Sequence, residues 1–293
     1  MGFDLTDLNL FLHVAEAGSI TAGADRAHLA LASASARIRG MEDTLGAPLL
    51  VRGRRGVEPT EAGRIVVRHA RAVLGQLERL RGELEGSAKG PRGVIRLLCA
   101  SAALTGCLPD ALSAFLTGHP RIDIDIAERQ DRDIPAAIAQ GKADMGILEA
   151  GVNPGELETI PFHHYRLALA TAPGHPLTGL KNPTLSDALD YDLLGLATDN
   201  ALEESLAGHA AKMGRVLKLR ARLGNREAIC RMVERNAGVG LMPEEEALRC
   251  QKSMDIRVIG LKEEWAARRL VLCVRKREQL SGYARELLET LGE

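Results

Sequence analysis

Through residue 45, apolar side chains recur every three or four positions and never alternate, so this stretch predicts helices only. Leu5, Leu8, Phe11, Leu12 and Ala15 mark a first amphipathic helix. Residues 20–42, "ITAGADRAHLALASASARIRGME", then read as two short helices with a break near His28-Leu29. The second is almost wholly Ala and Ser until Arg37. Ala34, Ile38, Met41 and Leu45 fall on one of its faces and predict the packed side. Ala32, Ala36, Arg39 and Asp43 lie opposite, with Ser33 and Ser35 on the flanks. Gly46 suits a left-handed helix end and Pro48 forbids continuation. "LLV", "RGRRG" and "VEP" follow, predicting a short two-stranded ribbon closed by Gly53 and Gly56.

Thr60 can cap the next helix, which the pattern runs from Glu61 to about Gly86. Val66, Ala70, Val73, Leu77, Leu80 and Leu84 alternate spacings of four and three on it. That narrow seam, with charge elsewhere, favours a helix that dimerises over one packed in a core. "SAKGPRG", residues 87–93, has the composition of a linker. Beyond it, apolar strands ("VIRLLC", "ADMGIL", "YRLALATA", "DLLGLAT", "LKLRARL", "VGLMP", "DIRVIGL", "RRLVLCVRK") and the half-buried "IDIDIAE" are interleaved with helical stretches near 108–116, 134–140, 200–213, 225–236 and 281–291. This predicts an α/β fold with mostly parallel sheets.

Composition narrows the function. At 293 residues the chain is long enough for two domains, or one large one, with a true core, and aromatics are only 3%, so Leu, Ile, Val and Ala must build it. A net charge of −1 removes any whole-chain electrostatic case for nucleic acid, which must rest on a local patch. Residues 37–55 supply one: Arg37, Arg39, Arg52, Arg54 and Arg55 against Glu42 and Asp43. "MGFDLTDLNL" has no cationic leader, no stretch is as long as a membrane span, and its loose myristoylation pattern at Gly2 and Thr6 is read as chance. Five cysteines, an odd number with no metal spacing, suggest reduced thiols in the cytoplasm; no cofactor or metal is expected. His163-His164 lacks a partner at metal spacing and reads as a loop or strand start, and "GVG" at 238–240 is no dinucleotide fingerprint.

A helix-turn-helix touches base edges with the N-terminal part of its second helix. Small residues there allow close approach, Ser33 and Ser35 can hydrogen-bond, and an Arg-tipped ribbon would be a wing on the phosphates. In "LNLFLHVAEAGSITAGADRAHL", "SARIRGMEDTLGAPLLVR" and "PTEAG", and more weakly in "HPRIDIDIAE", "GKADMGIL", "APGHPL" and "AGVGLMPE", the chain resembles the LysR-type transcriptional regulators over essentially its whole length. The resemblance implies a winged helix-turn-helix over 1–60, a dimerising linker helix and hinge over 61–92, and a periplasmic-binding-protein-like effector domain over 93–293. The last would comprise two α/β subdomains, 93–162 plus 266–293 and 163–265. It further implies a homotetramer, double-stranded operator DNA as partner, and a small-molecule effector. The DNA-contacting residues carried over are Thr21, Ser33, Ser35, Arg37, Arg39, Arg52, Arg54, Arg55 and Thr60.

One departure matters. Where the family starts the recognition helix with Ser-Gln-Pro or a similar polar set, this chain has Ala30, Leu31 and Ala32, so the capping Ser and base-reading Gln are both missing. In doubly wound sheets ligands bind beyond the carboxyl ends of strands, which selects Ser101, Ala102, Thr105, Glu149, Thr198, Asn200 and Asn225 as effector contacts. Ser101, Thr105 and Asn200 could equally cap helices, and Asp199 and Glu149 disfavour an anionic ligand. Cys99 and Cys107, near that cleft, leave a thiol-based redox sensor of the same fold as the alternative. A solute-binding protein or enzyme on the α/β part is the remaining reading, but no nucleophile, base and orienter converge in the sequence.

Overall fold

A computed structural model describes residues 2–53, 56–89, 93–196 and 201–292, and the chain divides into two compact units with the boundary between Gly93 and Val94. In the first unit, α1 (Leu5–Ala17) opens on a capping box: the Asp4 carboxylate accepts from Asp7 N–H and the Asp7 carboxylate accepts from Asp4 N–H. Its buried stripe is Asp7, Leu10, Phe11 and Val14, one step round from the face expected, and Leu5 is exposed. Ser19 caps α2 (Ile20–Arg26). Gly23 of α2 lies where a Cβ would stand 2.3 Å from Val14 Cγ2, so only glycine lets the two helices cross this closely.

The break falls at His28, whose φ of 55° turns the chain into α3 (Leu31–Leu45). Ala34, Ile38 and Met41 are buried as expected, but Leu45, in the last position before Gly46, is exposed. The Glu42 carboxylate accepts from Leu49 N–H (2.7 Å) and Leu50 N–H (3.3 Å), tying α3 to the ribbon. That ribbon is β1 (Leu50–Gly53) and β2 (Gly56–Pro59), antiparallel with Arg52 opposite Val57. Val57 N–H donates to Gly18 O at 2.9 Å, and a Cβ on Gly56 would sit 2.2 Å from that same oxygen, so glycine is what allows the wing to dock on the end of α1.

The Thr60 hydroxyl accepts from Gly63 N–H (3.0 Å) and donates to Pro48 O (2.7 Å), starting α4 (Glu61–Lys89), which runs three residues into the expected linker. The seam divides along its length. Val66 packs against Phe11, Met41 and Leu49, and Ala70 is buried, whereas Val73 (44%) and Leu80 (50%) are exposed. The first turns of the seam are consumed by the unit's own core. Leu84 and the wing tip, Arg54-Arg55, lie outside the described side chains.

The second unit runs through β3 (Gly93–Cys99), α5 (Ser101–Thr105), α6 (Leu108–Gly118), β4 (Ile122–Glu128), α7 (Ile134–Ala139), β5 (Met145–Glu149), β6 (Glu158–Thr171), α8 (Leu185–Ala188), β7 (Leu193–Leu196), α9 (Ala201–Lys212), β8 (Leu219–Leu223), α10 (Arg226–Glu234), β9 (Val239–Pro243), α11 (Glu244–Gln251), β10 (Arg257–Gly260), β11 (Ala267–Val274) and α12 (Gly282–Leu291). The strand order is β4-β3-β5-β11-β6-β9-β7-β8, with β10 also on β6. β6 belongs to two halves: Glu158–Arg166 pairs with β11, and Leu167–Ala170 with β9. A bulge at Phe162, where Leu270 pairs with His163 and Val271 with Pro161, bends it between them.

The sheet is mixed, which corrects the mostly parallel expectation. β3–β5, β7–β8 and β7–β9 are parallel, but β5–β11, β11–β6, β6–β9 and β6–β10 are antiparallel. Apolar runs mark buried strands without recording direction, and the chain passes between the halves on β6 and returns on β11. His163-His164 therefore lies inside a strand that begins at Glu158, not at a strand start.

The bare start of α3 has a measurable cost. Ala30 occupies the cap position in extended conformation with no side-chain hydrogen bond, and it is exposed. Ala30→Ser should therefore stabilise the chain by about 1 kcal/mol in chemical denaturation; no gain would mean the α3 N-terminus is satisfied by other means.

Candidate functional sites

The side of α3 turned away from the core is formed by Leu31 (49% exposed), Ala32, Ser33, Ala36, Arg39, Gly40 and Asp43. Ser35 is half-buried on its flank, and Thr21 is exposed in the first turn of α2. The backbone of α3 is thus approachable along two turns, with a positive charge at Arg39 and another at Arg52 on the wing. Neither arginine has an ion-pair partner among the described residues.

Arg37, expected to contact phosphate, is engaged within the protein. Its Nη1 lies 2.7 Å from Asp7 Oδ1 and 3.5 Å from Asp4 Oδ1, which fastens α3 to the first turn of α1. The Asp7 hydrogen bond raises the guanidinium pKa further. Thr60 is likewise committed, as cap of α4 and donor to Pro48 O.

In the second unit, the short helix α5 that follows β3 faces α10 and α11. The Arg226 guanidinium donates from Nη2 to Ser101 Oγ (3.1 Å) and from Nη1 to Thr105 Oγ1 (3.3 Å), and it pairs with Glu246 at 3.2 Å. Thr105 Oγ1 in turn donates to Glu246 Oε1, and Arg249 donates to the carbonyls of Thr105 and Gly106. Arg226 and Glu246 are both over nine-tenths buried. Ser101 and Thr105 therefore do not cap α5, whose cap position is Ala100 without a side-chain bond. Ala102, beside them, is half-buried. Asn225 is the residue that does cap: its Oδ1 accepts from Ala228 N–H, starting α10.

A second set of links joins the same two halves. Glu149, at the end of β5, accepts from the Tyr165 hydroxyl and pairs with Arg268 at 3.2 Å, while Arg268 Nη1 reaches Ser205 Oγ of α9 at 2.9 Å. Asp131 Oδ1 accepts from Glu149 N–H at 2.7 Å, and Arg132 pairs with Glu204 at 3.1 Å. Thr198, Asp199 and Asn200 lie outside the described residues.

Burial dominates the electrostatics here. It raises the carboxyl pKa of Glu149, Glu246, Asp131 and Glu203, overcoming the lowering by Arg268 at Glu149 and by Arg226 at Glu246. It raises the Tyr165 hydroxyl as well. Cys99 is pushed up to about 12 and Cys107 to about 11, so both thiols stay protonated near neutrality.

The sequence reading selected Ser101, Thr105 and Glu149 but missed their partners Arg226, Glu246 and Arg268. Arg226 directly follows the Asn225 cap at a strand-to-helix junction, so the strand-end rule could have found it. Glu246 was hidden in "EEE", which reads as a solvated helix start. No group of three or more His, Cys, Asp or Glu suited to a metal ion occurs among the described residues, and no described helix is long and apolar enough to cross a membrane.

An exposed recognition-type helix with a wing, ahead of an α/β unit whose halves exchange a strand pair, defines a DNA-binding regulator with a ligand-sensing domain. Residues 5–64 match the family model of bacterial regulatory helix-turn-helix proteins of the LysR family, and residues 88–293 match the LysR substrate-binding domain. The chain belongs to the LysR family of transcriptional regulators. It is similar to the HTH-type transcriptional activator IlvY of Salmonella typhimurium, 28% identical over 82% of each chain. It is also similar to the hydrogen peroxide-inducible genes activator of Pectobacterium carotovorum, 24% identical over 99% of this chain and 96% of that one. Among solved structures, the fold matches CbnR (TM-score 0.66, 20% identity, 99% and 100% covered) and full-length OxyR from Pseudomonas aeruginosa (0.73, 18%, 99% and 95%).

The buried acids set a pH dependence. A carboxyl whose pKa is raised on folding keeps its proton in the native state to higher pH than in the unfolded one. Its contribution is therefore fully favourable below the ordinary value of about 4 and is lost as pH rises through the folded value. Asp131→Asn retains an acceptor for Glu149 N–H without the buried charge. Thermal unfolding from about pH 4 upward should show the variant gaining on the wild type as pH rises; a difference that stays constant from there to neutrality would refute the assignment.

Proposed function

We propose that this regulator reads DNA with the exposed face of α3 and the wing, and responds to a small molecule bound beside the segments that follow β3, β5 and β8. The observation that carries the reading is the face from Leu31 to Asp43, stripped of bulk along two turns, with Arg39 and Arg52 lacking an ion-pair partner among the described residues. Phosphate contacts come from Arg39, Arg52 and the Arg54-Arg55 tip; Thr21, Ser33 and Ser35 supply shorter polar contacts. With Leu31 at the position of the family's Gln, direct base readout is thin, and DNA shape contributes more of the choice of site. That one solved relative by fold is CbnR complexed with its target DNA supports this mode of use.

In this reading 1–60 is the DNA-binding domain, 61–92 the linker helix, and 93–293 the effector domain, with halves 93–162 plus 266–293 and 163–265. The exposed Val73 and Leu80 of α4 support dimerisation through that helix, and pairs of dimers give the tetramer. Effector binding acts only through its different affinity for open and closed halves. Such a protein acts in the cytoplasm and has no catalytic turnover of its own. The thiol alternative at Cys99 and Cys107 is disfavoured, because Cys99 is buried and both thiols are held protonated.

Binding-site selection with the full chain tests the interface. Leu31→Gln should change sequence preference with little change in overall affinity. Arg39→Ala should weaken all sites alike and reduce the slope of log affinity against log salt by about 1. Unchanged preference in the first variant, or a site-specific loss in the second, would contradict the assignment.

A further inference from the structure

The exposed face of α3 is not uniformly bare. At its N-terminal turn stands one bulky apolar side chain, Leu31, 49% exposed and outside the apolar clusters of the first unit. Leu29, two residues earlier, packs against that core instead. Ala30 before Leu31 and Ala32 after it are exposed as well, and the cap position makes no side-chain hydrogen bond. This turn therefore presents three consecutive side chains with neither a donor nor an acceptor. The first exposed side chain beyond them that can hydrogen-bond is Ser33.

The N-terminal turn of a recognition helix is the part that meets base edges. Those edges carry donors and acceptors on every base pair, and one apolar group, the C5-methyl of thymine. An apolar side chain pressed on the polar groups strips them of water and returns no hydrogen bond. Pressed on the methyl, it gains by removing both apolar surfaces from water. We propose that Leu31 is a methyl reader: it selects thymine at one step of the site by packing on the C5-methyl. With α3 in the major groove, the reading on which this rests, Ala30 and Ala32 are too small to hold Leu31 away from the bases. The same contact accepts the methyl of 5-methylcytosine, so C5-methylation of a cytosine at that step strengthens binding. The base is chosen there by shape and apolar contact, while Ser33 and Arg39 are left to the polar groups further along.

The test uses the full chain and a DNA site obtained by binding-site selection. Each thymine is replaced singly by deoxyuridine, which removes the methyl and leaves the pairing intact, and affinity is read by fluorescence anisotropy at fixed salt. One position should lose about fourfold, the worth of one buried methyl group. Cytosine placed at that position should gain by a similar factor when methylated at C5. In Leu31→Ala both factors should fall close to one, whereas Leu31→Met, still long and apolar, should keep them. Leu31 lies outside the core, so both variants should retain the fold. A wild type with no position sensitive to deoxyuridine, or a sensitivity that Leu31→Ala leaves intact, would overturn the proposal. Arg39→Ala separates it from the reading beneath. A general loss of affinity in that variant, with no methyl effect in the wild type, refutes the methyl reader alone; no loss of affinity refutes both.

Discussion

A buried guanidinium must find its anion and its acceptors inside the protein, and Arg226 finds them on both sides of the effector domain. Its carboxylate, Glu246, comes from α11 in the same half, and its hydroxyl partners, Ser101 and Thr105, come from α5 in the other. Removing one member of such a set strands a charge in low dielectric, at a typical cost of about 3–5 kcal/mol. The halves are joined further by Arg249 with the carbonyls of Thr105 and Gly106, Arg268 with Ser205, and Arg132 with Glu204. These side-chain links sit beside the only described main-chain connection, the antiparallel passage of β6 and β11. Opening the domain therefore means breaking named polar contacts, and an effector that alters closure has to compete with or reinforce them.

The first unit solves the problem of close approach in the opposite way, by removing side chains. Gly23 lets α2 cross α1, Gly56 lets the wing touch the end of α1, and Ala32, Ser33 and Ala36 clear the front of α3. Its ionic contacts, Arg37 with Asp7 and Arg71 with Glu16, serve to hold the helices as one body. What is left for a partner is backbone, three hydroxyls and a few arginines. That arrangement supplies affinity and register more readily than base-by-base discrimination.

Most of the architecture was legible in the sequence because periodicity and capping act locally. The break at His28, the stop at Gly46, the cap at Thr60 and nearly every strand fell where the pattern put them. Sheet direction was not legible, since an apolar run looks the same entering or leaving a half. The inward face of α1 was misjudged because a buried acid, Asp7, replaces an apolar residue in the stripe to receive Arg37. The site was half legible: strand ends pointed to Ser101, Thr105 and Glu149, while their charged partners lie up to 141 residues away in the chain and no local rule connects them.

The account rests on the Arg226–Glu246 pair acting across the two halves, and a thermodynamic cycle with Thr105 measures this directly. Thr105→Val is made in the wild-type chain and in an Arg226→Met, Glu246→Leu background, with stability read by chemical denaturation. In the wild type the loss should be about 1 kcal/mol or more, because a charged acceptor and donor lose their partner. In the background lacking the pair it should fall close to zero. Equal losses in both backgrounds would contradict the claim that the buried pair clasps the effector domain shut.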